Sequence, residues 1–218
     1  MSLADPERTL AVAHAPVPAR AALTTLFALD ERLGQIVATT TEPMIGLMRL
    51  TWWREALEKL DHTPAPAEPL LRDIATHILP TGVLGATLGA IEDGWAALLD
   101  EDDPAKAAAR HGRERGRWLF LAAAAILDAK DDRLRAAGEG WALADLAHRH
   151  SRPELRALAR ARAREILSAL PTRRWARAAR PLAMLAILAA RDVSRDAPRR
   201  QGSPNRMLRM LALRLTGR

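Results

Sequence analysis

The sequence predicts an all-α protein that forms a single domain. Alanine, leucine and arginine, which are strong helix formers, fill much of its 218 residues. The chain has no tyrosine, and it rarely shows the alternation of apolar and polar residues that marks a strand. Prolines and glycines divide it into stretches of helical length. We therefore expect residues 1–218 to form one helical domain with a sizeable core.

Capping residues and prolines set the helices of the first half. Residues 39–41 are threonines that can cap a helix beginning at Pro43, which suits a first helical turn. The acidic turn at residues 100–104 favours the N-terminus of the helix that follows it. The predicted helices are 19–39, 43–61, 67–78, 80–99 and 105–127.

Further breaks set the helices of the second half. Residues 128–132 are polar, and Pro171, Pro198 and Pro204 punctuate the last third. The predicted helices are 133–150, 153–169, 173–192 and 204–215. Residues 191–203 are interpreted as a polar hinge that lets the final helix dock loosely.

Tandem tryptophans make residues 48–60 the most informative stretch. Rings as large as those of Trp52 and Trp53 bury large apolar areas, and Leu50 and Leu57 lie on another side of the same helix. We expect all four to be core residues. A helix that is apolar over most of its circumference is a central one, so this helix should be surrounded by others.

Two arginines interrupt the apolar sides of that helix. Arg49 and Arg54 would need partners near a core, and a planar guanidinium suits a carboxylate or a phosphate. Arg49, Trp53 and Arg54 are therefore candidate ligand-binding residues. No catalytic or metal-ligating residue is assigned.

Charge is distributed unevenly along the chain. Residues 1–145 carry net −7 and residues 146–218 carry net +14. This asymmetry indicates a surface that meets phosphate, in lipid or nucleic acid, or else solvated helix faces rich in arginine. No nucleic-acid module is recognisable, so a nucleic-acid partner is not expected.

The cysteine content, the N-terminus and the longest apolar runs indicate in which cellular compartment the protein lies. There is no cysteine and hence no disulfide framework, and the polar, acidic N-terminus does not read as a signal peptide. The longest apolar runs, 118–127 and 181–190, are too short to span a bilayer. We expect a cytoplasmic protein, peripheral to the inner membrane if it meets a membrane.

Residues 26–33 and 42–61, which include the run Arg-Leu-Thr-Trp-Trp-Arg-Glu-Ala-Leu, resemble the N-terminal part of the squalene/phytoene synthase family. The resemblance covers residues 18–71 and implies an all-α isoprenoid synthase fold around a central cavity, shortened here at the C-terminus. Enzymes of that family join two prenyl diphosphates with Mg²⁺ held by two aspartate-rich motifs.

Most of the acidic side chains that the resemblance predicts at the two metal motifs are absent from this sequence. The first motif should lie at residues 32–36, which contain no carboxylate. Asp30 and Glu31 are adjacent and point in different directions, so they are interpreted as a surface pair. The second motif should lie near residues 138–150, where Asp145 is acidic but His148, Arg149 and His150 stand where carboxylates would be needed.

Other candidates for the second motif are weaker. His148 and His150 lie two residues apart and would not converge on a metal, so they are interpreted as surface histidines. Asp192 and Asp196 lie four residues apart in a run that resembles the sequence pattern of the second motif, and they form an alternative acidic pair. Arg191 and Arg195 could instead pair with them as surface ions.

Together these observations predict a non-catalytic relative of the family. It would bind an isoprenoid or another lipid, or act at a membrane as an assembly factor, as in the branch that contains complex I assembly factor 6-like proteins. The expected partners are a prenyl or lipid ligand, an anionic membrane surface and a protein, with no cofactor. The alternative is a prenyltransferase that condenses prenyl diphosphates with Mg²⁺.

Overall fold

Helices account for all secondary structure in the computed structural model, which describes residues 3–195 and 199–218. The predicted all-α class is confirmed. The α-helices are α1 (Pro6–Ala13), α2 (Arg20–Thr39), α3 (Pro43–Lys59), α4 (Pro69–His77), α5 (Gly85–Asp100), α6 (Pro104–His111), α7 (Trp118–Ile126), α8 (Leu134–Arg149), α9 (Pro153–Ser168), α10 (Arg180–Ser194) and α11 (Pro204–Thr216). A π-turn, Gly112–Arg117, joins α6 to α7, and 3₁₀ turns occur at Val17–Ala19, Leu79–Thr81 and Arg177–Ala179.

Asp-Pro pairs begin two of the helices. The Oδ1 atom of Asp5 accepts the backbone N–H of Glu7 at 2.8 Å, and Pro6 occupies the first helical turn of α1. Asp103 caps α6 in the same way. Helix α1 is absent from the predicted helices, although Asp5 and Pro6 carry this starting signal.

The helix predicted at 105–127 is interrupted by the π-turn. A π-turn inserts an extra residue into a helix and changes the direction of the side chains around it. A Cβ atom on Gly116 would lie 2.3 Å from the carbonyl oxygen of Gly138. Glycine at position 116 therefore lets the π-turn lie against α8, which leaves Arg115 pointing inward.

The central helix of the fold is α8, so the prediction that the tryptophan-bearing helix is central was wrong. Most residues of α8 are buried, and α8 packs against α7, α9, α10 and the π-turn. Helix α3 buries only Gly46, Leu50, Trp53 and Leu57, and its main neighbour is α5. The outer face of α3 stays exposed.

One of the two adjacent tryptophans lies on the buried face of α3, and the other lies on its exposed face. Leu50 and Leu57 are fully buried and Trp53 is 6% exposed, as predicted for core residues. Trp52 is 50% exposed, so its predicted burial was wrong. Consecutive helical residues point in different directions, and α3 has a neighbouring helix to cover only one of them.

Helix α11 is attached to the body of the protein by buried apolar side chains and by a backbone hydrogen bond just after its end. Met210 and Leu213 are buried, and the carbonyl oxygen of Gly217 accepts the backbone N–H of Trp175 at 2.8 Å. In the segment interpreted as a hinge, 191–203, helix α10 continues to Ser194, and residues 196–198 lie outside the described part of the chain. Hinge motion there stays a prediction.

The two tryptophans should differ in their effect on stability. Replacing buried Trp53 with alanine should lower the free energy of unfolding by about 3–5 kcal/mol because it leaves a cavity. Replacing Trp52 should cost only about 1 kcal/mol, mostly through its edge contact with Trp53 at a centroid distance of 5.3 Å. Urea unfolding of both variants checks this, and equal losses would contradict the exposed position of Trp52.

Candidate functional site

Asp30 lies at the centre of the protein, so its interpretation as a surface residue was wrong. Its side chain has no exposed area, whereas that of the adjacent Glu31 is 27% exposed. Asp30 precedes by less than one turn the stretch, residues 32–36, where the family resemblance would put an acidic motif. A carboxylate can be buried in this way only where cations compensate for its lost hydration.

Arg115, which is 1% exposed, supplies the principal compensating charge. Its Nε and Nη2 atoms donate to the two carboxylate oxygens of Asp30, both at 2.8 Å. The same Nη2 donates to Oδ2 of Asp145 at 3.0 Å. Asp30 of α2 and Asp145 of α8 thus face each other across a guanidinium, in a bidentate geometry that is among the strongest in proteins.

Aromatic rings enclose this centre. The guanidinium carbon of Arg115 lies 4.2 Å from the ring centroid of Trp95 and 4.8 Å from that of Trp141. The indole N–H of Trp95 also donates to Oδ1 of Asp30 at 3.1 Å. The rings exclude water from the ion pairs and add cation–π attraction to Arg115.

His111 completes the immediate surroundings of Arg115. Its Nδ1 lies 2.6 Å from the carbonyl oxygen of Gly94, and its Nε2 lies 3.2 Å from Nη1 of Arg115. The carbonyl requires a proton on Nδ1, so Nε2 is left to accept from the arginine. Burial, reinforced by the charge of Arg115, lowers the pKa of His111 to about 3. His111 is therefore a neutral acceptor, not an acid–base group at neutral pH.

The carboxylates of the centre are held ionised. Burial alone would raise the pKa of Asp30, but the charges of Arg115 and Arg8 outweigh it and bring the pKa to about 2. Burial alone would also raise the pKa of Asp145. The charges of Arg115, Arg149, Arg8 and Arg199 outweigh burial and lower this pKa well below its ordinary value. Neither carboxyl can therefore act as a proton donor near neutral pH.

A second arginine bridges a second pair of acids. Arg206 of α11 donates through Nη2 to Oε2 of Glu7 and to Oδ2 of Asp192, each at 2.9 Å. Asp192 thus points inward, and the interpretation of its charge as a surface ion pair with Arg191 does not hold. Asp196, the other member of the alternative acidic pair, lies outside the described residues.

Arg199 joins the two bridges. Its Nη1 lies 3.2 Å from Oδ1 of Asp145, and its Nη2 lies 3.4 Å from Oε2 of Glu7. The pocket between Asp145 and Asp192 has a volume of about 10 Å³, roughly the space of one water molecule. Within residues 3–195 and 199–218, no group of three or more His, Cys, Asp or Glu side chains is arranged to hold a metal ion.

The histidines predicted at the surface are partly buried. His148 lies in the last turn of α8 and His150 follows as its C-cap. Burial lowers the pKa of each imidazole. Beside them, Arg149 donates through Nε to Oδ1 of Asp145 at 2.7 Å, so this end of α8 belongs to the ion network.

A shallow apolar groove lies between α2 and α3. It has a volume of about 500 Å³. Its lining residues are Arg32, Ile36, Ile45, Met48, Arg49, Trp52 and Trp53. Two of the three candidate ligand-binding residues, Arg49 and Trp53, are therefore brought together here.

The third candidate, Arg54, does not line this groove. Its Nη1 lies 3.4 Å from Oε1 of Glu58 and its Nε lies 3.5 Å from Oε2 of Glu92. These contacts attach α3 to α5. The sequence analysis missed Arg32 and Ile36 as groove residues because they lie on a different helix from the tryptophans.

The outer side of α11 is both apolar and cationic. Leu208, Leu211 and Leu215 are 62%, 41% and 73% exposed and lie about one turn apart. Arg209 and Arg214 flank this stripe, and residues 199–218 contain six arginines and no acid. Leu155 of α9, by contrast, is buried in the core.

Comparison with known proteins adds no family assignment. No protein-family model, curated protein or solved structure matches the chain. Across the described residues, no helix is both long and apolar enough to cross a membrane. Any account of function therefore rests on the geometry of the ion network and of the two exposed apolar surfaces.

Sequence reasoning missed the residue on which the ion network is built. Arg115 stands in the run His-Gly-Arg-Glu-Arg-Gly-Arg, where it resembles Arg113 and Arg117. The available signal was the glycines around it, since a Cβ on Gly94 would lie 2.3 Å from the backbone nitrogen of Arg115. Glycines of this kind indicate that another segment approaches closely, but they do not show which segment it is.

Removing the central arginine should destabilise the protein strongly. Arg115→Ala leaves Asp30 and Asp145 buried without their shared counter-ion, so the free energy of unfolding should fall by about 3–5 kcal/mol. The matched control Arg113→Ala removes a 48% exposed arginine and should cost less than about 0.5 kcal/mol. Denaturant unfolding measures both, and equal losses would contradict the assignment of Arg115 to the core of the network.

Proposed function

We propose that this chain is a non-catalytic protein of the squalene/phytoene synthase-like type, and that it acts at a membrane surface as a binding or assembly protein. The observation that carries the proposal is the outer face of α11, where exposed leucines lie between arginines. The ion network at the centre supports the non-catalytic part of the proposal.

The positions of the buried acids support the likeness in fold. The sequence resemblance puts acidic motifs near the end of α2 and in α8, two regions far apart in the chain. Asp30 and Asp145 come from these regions and face each other across Arg115. Asp192, from the run that also resembles the second motif, lines the same small pocket as Asp145.

The state of these acids argues against prenyl transfer. Mg²⁺ in such chemistry is held by carboxylates together with substrate phosphates. Here both oxygens of Asp30 accept from Arg115, and Asp145 accepts from Arg115 and Arg149. A metal and a diphosphate would have to displace a buried arginine that already satisfies these charges.

The outer face of α11 is suited to a membrane interface. Its exposed leucines can enter the boundary between headgroups and acyl chains, while the long arginine side chains extend toward lipid phosphates. Each arginine near an anionic leaflet contributes about 1 kcal/mol. Desolvation, followed by the charges of Arg195 and Arg209, lowers the pKa of Arg191. Positive charge therefore continues from α11 onto α10.

The membrane-facing helix is fixed to the protein body. Arg206 points inward to Glu7 and Asp192, while Leu208 and Leu211 of the same helix point outward. Deleting α11 would leave both acids without this partner and would disturb the core. Substitutions on the outer face therefore test the proposal more cleanly than truncation.

Membrane binding should depend on anionic lipid and on the leucine stripe. The full chain should co-sediment with vesicles of phosphatidylcholine and phosphatidylglycerol, bind pure phosphatidylcholine weakly and dissociate at high salt. The double variant Leu211→Glu, Leu215→Glu should lose binding because it puts charge where insertion occurs. Arg209→Gln should weaken partitioning about fivefold, as expected for the loss of about 1 kcal/mol.

The matched control is Leu84→Glu, which changes a 59% exposed leucine before α5 and should bind like the unaltered chain. Circular dichroism confirms that each variant is folded. Equal binding to neutral and anionic vesicles, or unchanged binding of the double variant, would show that α11 is not the element that contacts the membrane.

The protein should form no condensation product from prenyl diphosphates. Incubation with farnesyl or geranylgeranyl diphosphate and Mg²⁺ should yield neither squalene nor phytoene, because the facing carboxylates are engaged by Arg115. Extraction and mass spectrometry, with added squalene as a recovery standard, measure the outcome. Product above a heat-inactivated control would establish the prenyltransferase alternative instead.

A further inference from the structure

The groove between α2 and α3 is a contiguous apolar surface. On α3, Ile45 is 44% exposed, Met48 is 67% exposed and Trp52 is 50% exposed. Single exposed apolar side chains are ordinary, but a cluster of them beside a concave surface marks a binding site. Its volume of about 500 Å³ lies in the range of roughly 300–1,000 Å³ that is usual for small-molecule sites.

Two arginines at this groove have no acidic partner within residues 3–195 and 199–218. In the described part of the chain, neither Arg32 nor Arg49 forms an ion pair, whereas nearby Arg54 contacts two glutamates. The guanidinium carbon of Arg32 lies 5.9 Å from the ring centroid of Trp53. An exposed guanidinium held beside an aromatic ring presents its donors to a carboxylate or a phosphate.

We propose that this groove binds a single-chain anionic amphiphile, that is, one apolar chain with a terminal carboxylate or phosphate. The chain lies on Ile45, Met48 and Trp52, and the head accepts hydrogen bonds from Arg32 and Arg49. The site is separate from the outer face of α11, and the proposal does not depend on the membrane role of that helix.

Charges near the groove favour a free amphiphile over two other occupants. Glu42 and Glu55 are exposed on α3 or just before it, so the charge beside this groove is mixed and attracts an anionic bilayer less than the outer side of α11 does. A second copy of this chain, packed with its α3 antiparallel about a twofold axis, would bring the Arg49 edge of one copy against the same edge of the other. A single molecule with one charged end has neither disadvantage.

The test is a titration with amphiphiles below their critical micelle concentrations. Dodecanoate and dodecyl phosphate should bind saturably with one site per chain, measured by calorimetry and by a change in tryptophan emission. Dodecanol, which lacks the anionic head, should bind at least about tenfold more weakly, and inorganic phosphate should not bind detectably.

Variants assign the binding to this groove. Arg49→Gln should weaken dodecanoate binding about tenfold or more, and Met48→Glu should abolish it. Trp52→Phe should remove most of the emission change while leaving the calorimetric signal. The control Arg72→Gln, which changes an exposed residue of α4, should bind like the unaltered chain, as should Leu211→Glu, Leu215→Glu if the two surfaces are independent.

Three results would overturn the proposal. These are equal affinities for dodecanol and dodecanoate, unchanged affinity of Arg49→Gln, and no saturable binding of either anionic amphiphile. A concentration-dependent dimer that Met48→Glu disrupts, together with no amphiphile binding, would assign the groove to a second copy. Each variant changes an exposed residue, and its folding is checked by thermal unfolding.

Discussion

The ion pair between Arg115 and Asp30, which Asp145 completes, holds three segments of the chain in one arrangement. Asp30 comes from α2, Arg115 from the π-turn and Asp145 from α8, and all three side chains are nearly inaccessible to water. A buried charge without its partner costs several kcal/mol, so none of the three segments can move away alone. The enclosing tryptophans and His111 depend on the same arrangement.

The network also determines what the interior can do. In the described part of the chain, arginines lie between opposed carboxylates, and the pocket between Asp145 and Asp192 is about the size of one water molecule. These arginines therefore neutralise the buried acids and hold together the helices that carry them. The contacts proposed with other molecules lie on two apolar surfaces that carry exposed arginines, the α2–α3 groove and the outer side of α11.

The all-α class and most helix positions could be predicted because they depend on local signals. Helix formers, caps such as Thr40 and prolines such as Pro43 and Pro204 act over a few residues. Burial could not be predicted as well, since it depends on which face a neighbouring helix covers, and Trp52 and Asp30 were assigned to the wrong environments for that reason. Arg115 and Asp30 are 85 residues apart, and nothing in either local pattern names the other.

The bridge between Glu7 and Arg206 has a consequence for synthesis on the ribosome. These two residues are separated by 199 positions, and Arg206 also neutralises Asp192. A nascent chain that lacks α11 would already contain Glu7, Asp192 and nearly all of the core, but the acids would have no Arg206 to meet. Neutralisation of these acids by Arg206 therefore waits for α11 to emerge, and the partly folded chain is exposed to chaperones and proteases until then.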